Sequence, residues 1–202
     1  MKTNQLLFIL VVTFFVGNFY SCAQEHQSPT NWMSFEAAVA AAKINPKPIL
    51  IDIYTQWCGP CKIMTKNTFG NEKIATYLNQ YFYCVKFDAE CFDTVKIETY
   101  TKDTIRENGK IVQLKNKPIT VSFTNFAAVG TPKSPHQFAY SILDGKLQYP
   151  SFVFLSPSIN RLEIKAGYHP PEAFEPIIKY YGSGDYQTKS FDEFTKTFKS
   201  EF

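Results

Sequence analysis

Trp57-Cys58-Gly59-Pro60-Cys61 is the stretch from which the rest of the chain can be read. Just before it, Pro48-Ile49-Leu50-Ile51-Asp52-Ile53-Tyr54 is apolar and β-branched, the pattern of a buried strand, so both cysteines fall where a strand hands over to a helix. Cysteines at i and i+3 share one helical face and can bond to each other. The first lies where unpaired backbone N–H groups and the helix dipole favour an anion. Cys58 is therefore the expected thiolate, which attacks a partner disulfide, and Cys61 the thiol that resolves the mixed disulfide. A static crosslink closing so small a loop would stabilise little, which weighs against a purely structural bond. Zinc is the competing use of C-x-x-C, but it needs a second Cys or His pair, and Cys84 and Cys91 do not form one. No metal is expected.

These residues resemble the thioredoxin family. The likeness rests on the strand Ile49 to Tyr54, the full WCGPC, an aspartate six residues before the first cysteine (Asp52), and a later X-Pro followed by an apolar strand, Tyr149-Pro150-Ser151-Phe152-Val153-Phe154-Leu155. The run Thr55 to Phe69 is most similar to the exported branch that includes the carboxy-terminal domain of the membrane electron transporter DsbD. Residues 32 to 90 and 134 to 181 carry the likeness, and 91 to 133 lie outside it.

The resemblance implies a thioredoxin-like α/β fold, a central mixed β-sheet flanked by helices, that exchanges electrons with protein disulfides and needs no bound cofactor. It also implies a cis Pro150 facing the dithiol, although base rates alone would make this proline trans. Tyr149 is then the residue whose backbone pairs with a substrate chain, with Gly59, Pro60 and Trp57 beside it. Tyrosine at 149 departs from the small or aliphatic residue common in the family, and Trp57 reads equally well as a packed aromatic. Asp52 interrupts an apolar run. If buried and unpaired it tends to take up a proton, making it a candidate to shuttle the proton of Cys61, and the resemblance implies the same role; the residues alone also allow a strand-end or surface aspartate.

A chain of 202 residues, 45% apolar and 16% aromatic, has the composition of a packed globule. Its 21 basic and 18 acidic residues form no basic stripe, which argues against nucleic acid. Lys2 precedes an apolar run from Leu6 to Val16, too short to span a bilayer, and reads as an export signal over residues 1–23. Cleavage after Ala23 would start the mature thioredoxin-like domain, 24–202, at Gln24. Ser21-Cys22 also fits the end of a lipoprotein signal, with Cys22 as lipid anchor, though Phe19 and Tyr20 suit that pattern poorly. The expected location is the periplasm, soluble or membrane-anchored, with disulfide-containing exported proteins as partners and a membrane thiol donor supplying electrons.

Along the chain, Ser34 caps a helix to about Ile44, helices run from Gly59 to Phe69 and from Asn71 to Gln80, and Tyr81 to Asp88 reads as a strand. In the insertion at 91–133, Thr94–Tyr100 alternates, and Ile105–Val112 holds Asn108-Gly109 between two short runs, and so an extra hairpin that could stand beside the partner groove. Its expected role is to select partners, with a stabilising decoration as the alternative. Ser134-Pro135 is read as opening a helix to Leu143. Ser151–Leu155 and Leu162–Ala166 are the last strands, Pro170-Pro171 opens a helix that Pro176 kinks or restarts, and Ser190 with Glu193 forms a capping box for an extra C-terminal helix. Cys84 reads as a buried thiol, with a bond to Cys91 left open, and His26, His136 and His169 receive no catalytic role. Two other functions remain in view: a disulfide oxidant or isomerase, and a redox-inactive partner-binding module.

Overall fold

The computed structural model describes residues 29–107 and 110–202. The export signal, Cys22, His26 and the Asn108-Gly109 turn lie outside the described residues.

Strand β2 (Ile49–Tyr54) is buried at all six positions because it is covered on both faces and both edges. It pairs in parallel with β3 (Tyr83–Asp88) and antiparallel with β6 (Ser151–Leu155); β1 (Trp32–Met33) and β7 (Arg161–Ala166) complete the order β1-β3-β2-β6-β7. Alternation along β2 divides the core. Ile49, Ile51 and Ile53 face α1 (Phe35–Ile44) and α4 (Gln137–Ile142). Leu50 faces the other layer, α2 (Gly59–Ile63), α3 (Glu72–Tyr81) and α5 (Pro171–Gly182), where Phe69, Phe152 and Phe174 pack edge to face. Asp52 is therefore turned toward the layer that carries the dithiol helix.

Local chemistry sets the element ends. Ser34 Oγ accepts from the Ala37 N–H and Asn71 Oδ1 from the Lys73 and Ile74 N–H groups, capping α1 and α3. α2 widens into a π turn over Met64–Thr68, closed by the Phe69 N–H on the Met64 carbonyl, and breaks at Gly70, where a Cβ would lie 2.2 Å from the Lys66 oxygen. The capping box at Ser190 opens α6 (Phe191–Thr197). No helix among the described residues is long and apolar enough to cross a membrane.

Three expectations about α4, α5 and β3 are corrected. The helix read from Ser134-Pro135 begins at Gln137. The Pro135 carbonyl accepts from the Phe126 N–H, and His136, in extended backbone, caps the helix through Nδ1 of its buried ring. Pro176 does not restart α5, which runs as one helix while Phe174, Ile177, Ile178 and Tyr181 bury its inner face. β3 begins at Tyr83, because Tyr81 still belongs to α3 and the Phe82 N–H closes that helix on Leu78.

The inserted hairpin is present, as a ribbon of β4 (Val95–Glu107) and β5 (Lys110–Phe123) longer than the two short runs suggest. Its base packs Val95, Ile97 and Phe123 on α1 and α4. Its direction differs from the expectation. α1 starts at the dithiol end of the sheet and runs to the opposite end. The Lys96 N–H bonds Glu36 in the first turn of α1, whereas Glu98 pairs with Lys43 in the last turn at 3.5 Å. Thr99 then lines a groove with Ile159 and Arg161, at the far end where Leu155 pairs with Ile49. The ribbon leaves the dithiol rather than standing beside it.

Candidate active site

Cys58 is the N-cap of α2 and Cys61 lies within its first turn; their sulfurs form a disulfide with the Cα atoms 5.3 Å apart. Both side chains are nearly covered, and Cys58 Sγ accepts from the Cys61 N–H at 3.2 Å. That N–H, and the positive end of the helix, are the groups that would hold a thiolate once the bond opens. Gly59 and Pro60 are exposed at the mouth. A Cβ at Gly59 would meet nothing within 4 Å, so the glycine keeps the approach to Cys58 bare rather than relieving a clash.

Across the mouth, the Tyr149–Pro150 peptide is cis, Pro150 is buried, and the Tyr149 ring packs with Tyr54, Cys58 and Cys61. Burial, with Glu90 and Asp88 nearby, pushes the Tyr149 phenol up to about 12. The Trp57 ring stands edge-on to Tyr149 at 6.1 Å, and its Nε1–H donates to both Glu90 carboxylate oxygens at 2.9 and 3.0 Å. At 54% exposure Trp57 is a partly open surface held in place at one edge. Gln56 ties the turn down from the other side, donating to Asp88 at 3.0 Å.

Beneath α2, Asp52 is buried and faces Lys86, its direct neighbour in the parallel register, with Lys86 Nζ 3.5 Å from Oδ2. Lys86 also donates to Thr65 Oγ1 at 2.8 Å, and the rings of Tyr54 and Trp32 cover its ammonium at 5.0 and 5.2 Å. Thr65 lies one turn beyond Cys61, which puts the Asp52–Lys86 pair under the same helical face as Cys61. Burial raises the Asp52 carboxyl to about 6, against the opposing pull of Lys86, and its Oδ1 has no hydrogen-bond partner. Burial likewise holds Lys86 below the usual lysine range, offset in part by Asp52.

The sequence-predicted residues thus meet at one end of the sheet: Cys58, Cys61, Trp57, Gly59, Pro60, Tyr149 and Pro150 around the mouth, with Asp52 below. Lys86 and Thr65 were missed. The signal was available, since Tyr83-Cys84-Val85-Lys86-Phe87-Asp88 carries a lysine inside an apolar strand. Cys84 is a free, buried thiol, so the Cys84–Cys91 bond left open above is not formed. His136 is structural: Nδ1 accepts from Phe138, which leaves Nε2–H to donate to the Asp93 carbonyl at 2.8 Å. Among the described residues no three His, Cys, Asp or Glu side chains cluster as a metal site.

The family model Thioredox_DsbH, described as a protein of unknown function, DUF255, matches residues 19–122. A thioredoxin-like protein of Synechocystis, slr0233, is 35% identical over 51 residues, covering 25% of this chain and 46% of that protein. The thiol:disulfide interchange protein DsbD of Vibrio vulnificus is 30% identical over 73 residues, covering 32% of this chain and 12% of that one. The matches therefore span less than half the length of these relatives. A thioredoxin-fold protein from Helicobacter pylori superposes with a TM-score of 0.48 at 18% identity, over 75% of this chain and 80% of that one.

Proposed function

The chain belongs to the Thioredox_DsbH family of thioredoxin-like proteins, and from that premise we propose that it is an exported reductase of protein disulfides working through Cys58 and Cys61. The observation that carries the reading is a disulfide at the N-terminus of a helix, with the Asp52 carboxyl buried beneath it.

In the reductive direction the dithiol starts reduced. The Cys58 thiolate attacks one sulfur of the partner's disulfide, forming a mixed disulfide and releasing the partner's other sulfur as a thiolate, which takes up a proton. The Cys61 thiol gives its proton to Asp52 and attacks Cys58 Sγ. The mixed disulfide breaks, its partner sulfur leaves as a thiolate that takes up a proton, and the partner departs with both sulfurs reduced by the two electrons the dithiol has lost, while the protein is left with the Cys58–Cys61 disulfide. Asp52 suits the proton step because its carboxyl near 6 can accept a proton and release it close to neutral pH. Tyr149 and Pro150 would present backbone to the partner chain, and Trp57, Gly59 and Pro60 the surface on which it lies. No bound cofactor enters these steps. The apolar run Leu6–Val16 supports export, and a membrane thiol donor would return the protein to its reduced form.

Insulin reduction by the wild type, lost in Cys58→Ser, tests the activity. Equal inactivity of both proteins with every thiol donor would remove it. Equilibration with glutathione tests the direction: a potential near thioredoxin's about −270 mV supports a reductase, whereas one near about −120 mV would make it an oxidant.

A further inference from the structure

The inserted segment has two parts with opposite addresses. The ribbon runs away from the dithiol, but the loop that follows it, Thr124 to His136, returns there. Its base is fixed by the buried Asn125. The Asn125 amide donates to the Ser134 carbonyl at 2.8 Å and the Cys91 carbonyl at 3.1 Å, its Oδ1 accepts from Ala127, and the Phe126 N–H bonds Pro135. At the loop's end Lys133 adopts a left-handed backbone, φ 57°, and its ammonium sits over the Trp57 ring, 5.6 Å from the centroid. A non-glycine residue held in that conformation needs surroundings that over-determine it, and Asn125 with the Phe126–Pro135 bond supplies them.

We propose that Lys133 is a specificity-determining residue of the dithiol, favouring extended partner segments that carry a carboxylate close to their reactive disulfide. This rests on the reductase reading above. Trp57 immediately precedes Cys58, so a cation over its ring lies beside the path of any chain whose sulfur reaches Cys58. Lys133 is exposed, and among the described residues no carboxylate lies within ion-pair distance of it. Glu90, the acid that holds the indole, has both oxygens directed to its N–H. The charge of Lys133 is therefore exposed over the ring without a carboxylate partner, while that of Glu90 is turned to the ring edge.

The test uses the full-length protein, reduced, and two synthetic peptides with one disulfide each, identical except for aspartate or asparagine two residues from the cysteine. The readout is the ratio of their reduction rates within each protein, which cancels any change in dithiol reactivity. At low ionic strength the wild type should reduce the aspartate peptide about 1.5 to 5 times faster, the range of an exposed ion pair, and high salt should abolish the preference. Lys133→Gln should bring the ratio to one and Lys133→Glu should invert it. Equal wild-type rates on the two peptides, or a preference that persists in Lys133→Glu, would overturn the assignment and leave the reductase reading standing. Failure of the wild type to reduce either peptide would remove both.

Discussion

Replacing Asp52 by asparagine should change how stability depends on pH, in a direction fixed by its burial. The carboxyl stands at about 6 in the folded protein against an ordinary 3.8. A group that binds its proton more tightly when folded contributes stability that is complete below the unfolded value and is lost as pH rises through the folded one. About two decades of proton affinity, at about 1.4 kcal/mol each, make this loss about 3 kcal/mol between pH 3 and 7. Asparagine does not titrate. The unfolding free energy of Asp52→Asn minus that of the wild type should therefore rise by about 3 kcal/mol across that window. Lys86 loses its counter-charge in the variant, and this moves the whole difference curve without changing the direction of its slope. The assay is urea denaturation of the oxidised proteins, in which Cys58 and Cys61 do not titrate, at pH steps from 3 to 7. A flat or falling difference would show that the carboxylate is as well satisfied folded as unfolded, and the proton-acceptor argument would fail with it.

Two further outcomes follow from single hydrogen bonds. Thr65→Val removes an acceptor of the buried Lys86 ammonium, so it should cost about 1–3 kcal/mol in denaturation, while Thr65→Ser should recover most of that. Asn125→Ala leaves the carbonyls of Ser134 and Cys91 without this donor; a similar loss is expected, together with altered fluorescence of Trp57 as Lys133 is released from its ring.

What was legible in the sequence was what neighbouring residues determine among themselves. β2, the turn into α2 and the caps at Ser34, Asn71 and Ser190 each depend on a few adjacent positions. Asp52 was noticed because an acid inside an apolar run is a local anomaly. Lys86 is the same anomaly, but its meaning comes from parallel pairing, which sets it opposite Asp52 across two strands joined through two helices. The start of α4 was misplaced for a related reason. Ser and Pro are sound helix openers, yet the Pro135 carbonyl is claimed by Phe126 on the far side of a loop. The hairpin was visible in its Asn-Gly, whereas its heading depends on contacts of Lys96 and Glu98 with opposite ends of α1, which no local pattern encodes.

Cys84 gives the molecule a timepiece. It is a free thiol at 1% exposure in β3, and burial, followed by the charge of Asp52, lifts it far above the ordinary thiol range. An alkylating reagent can reach it only in molecules whose sheet has come apart, so its labelling rate is the intrinsic thiol rate multiplied by the open fraction. In the reduced protein Cys58 should label at once and Cys84 only as the core opens. One mass spectrum taken over time would then read two clocks, a fast one set by the reactivity of the mouth and a slow one set by the cohesion of the interior.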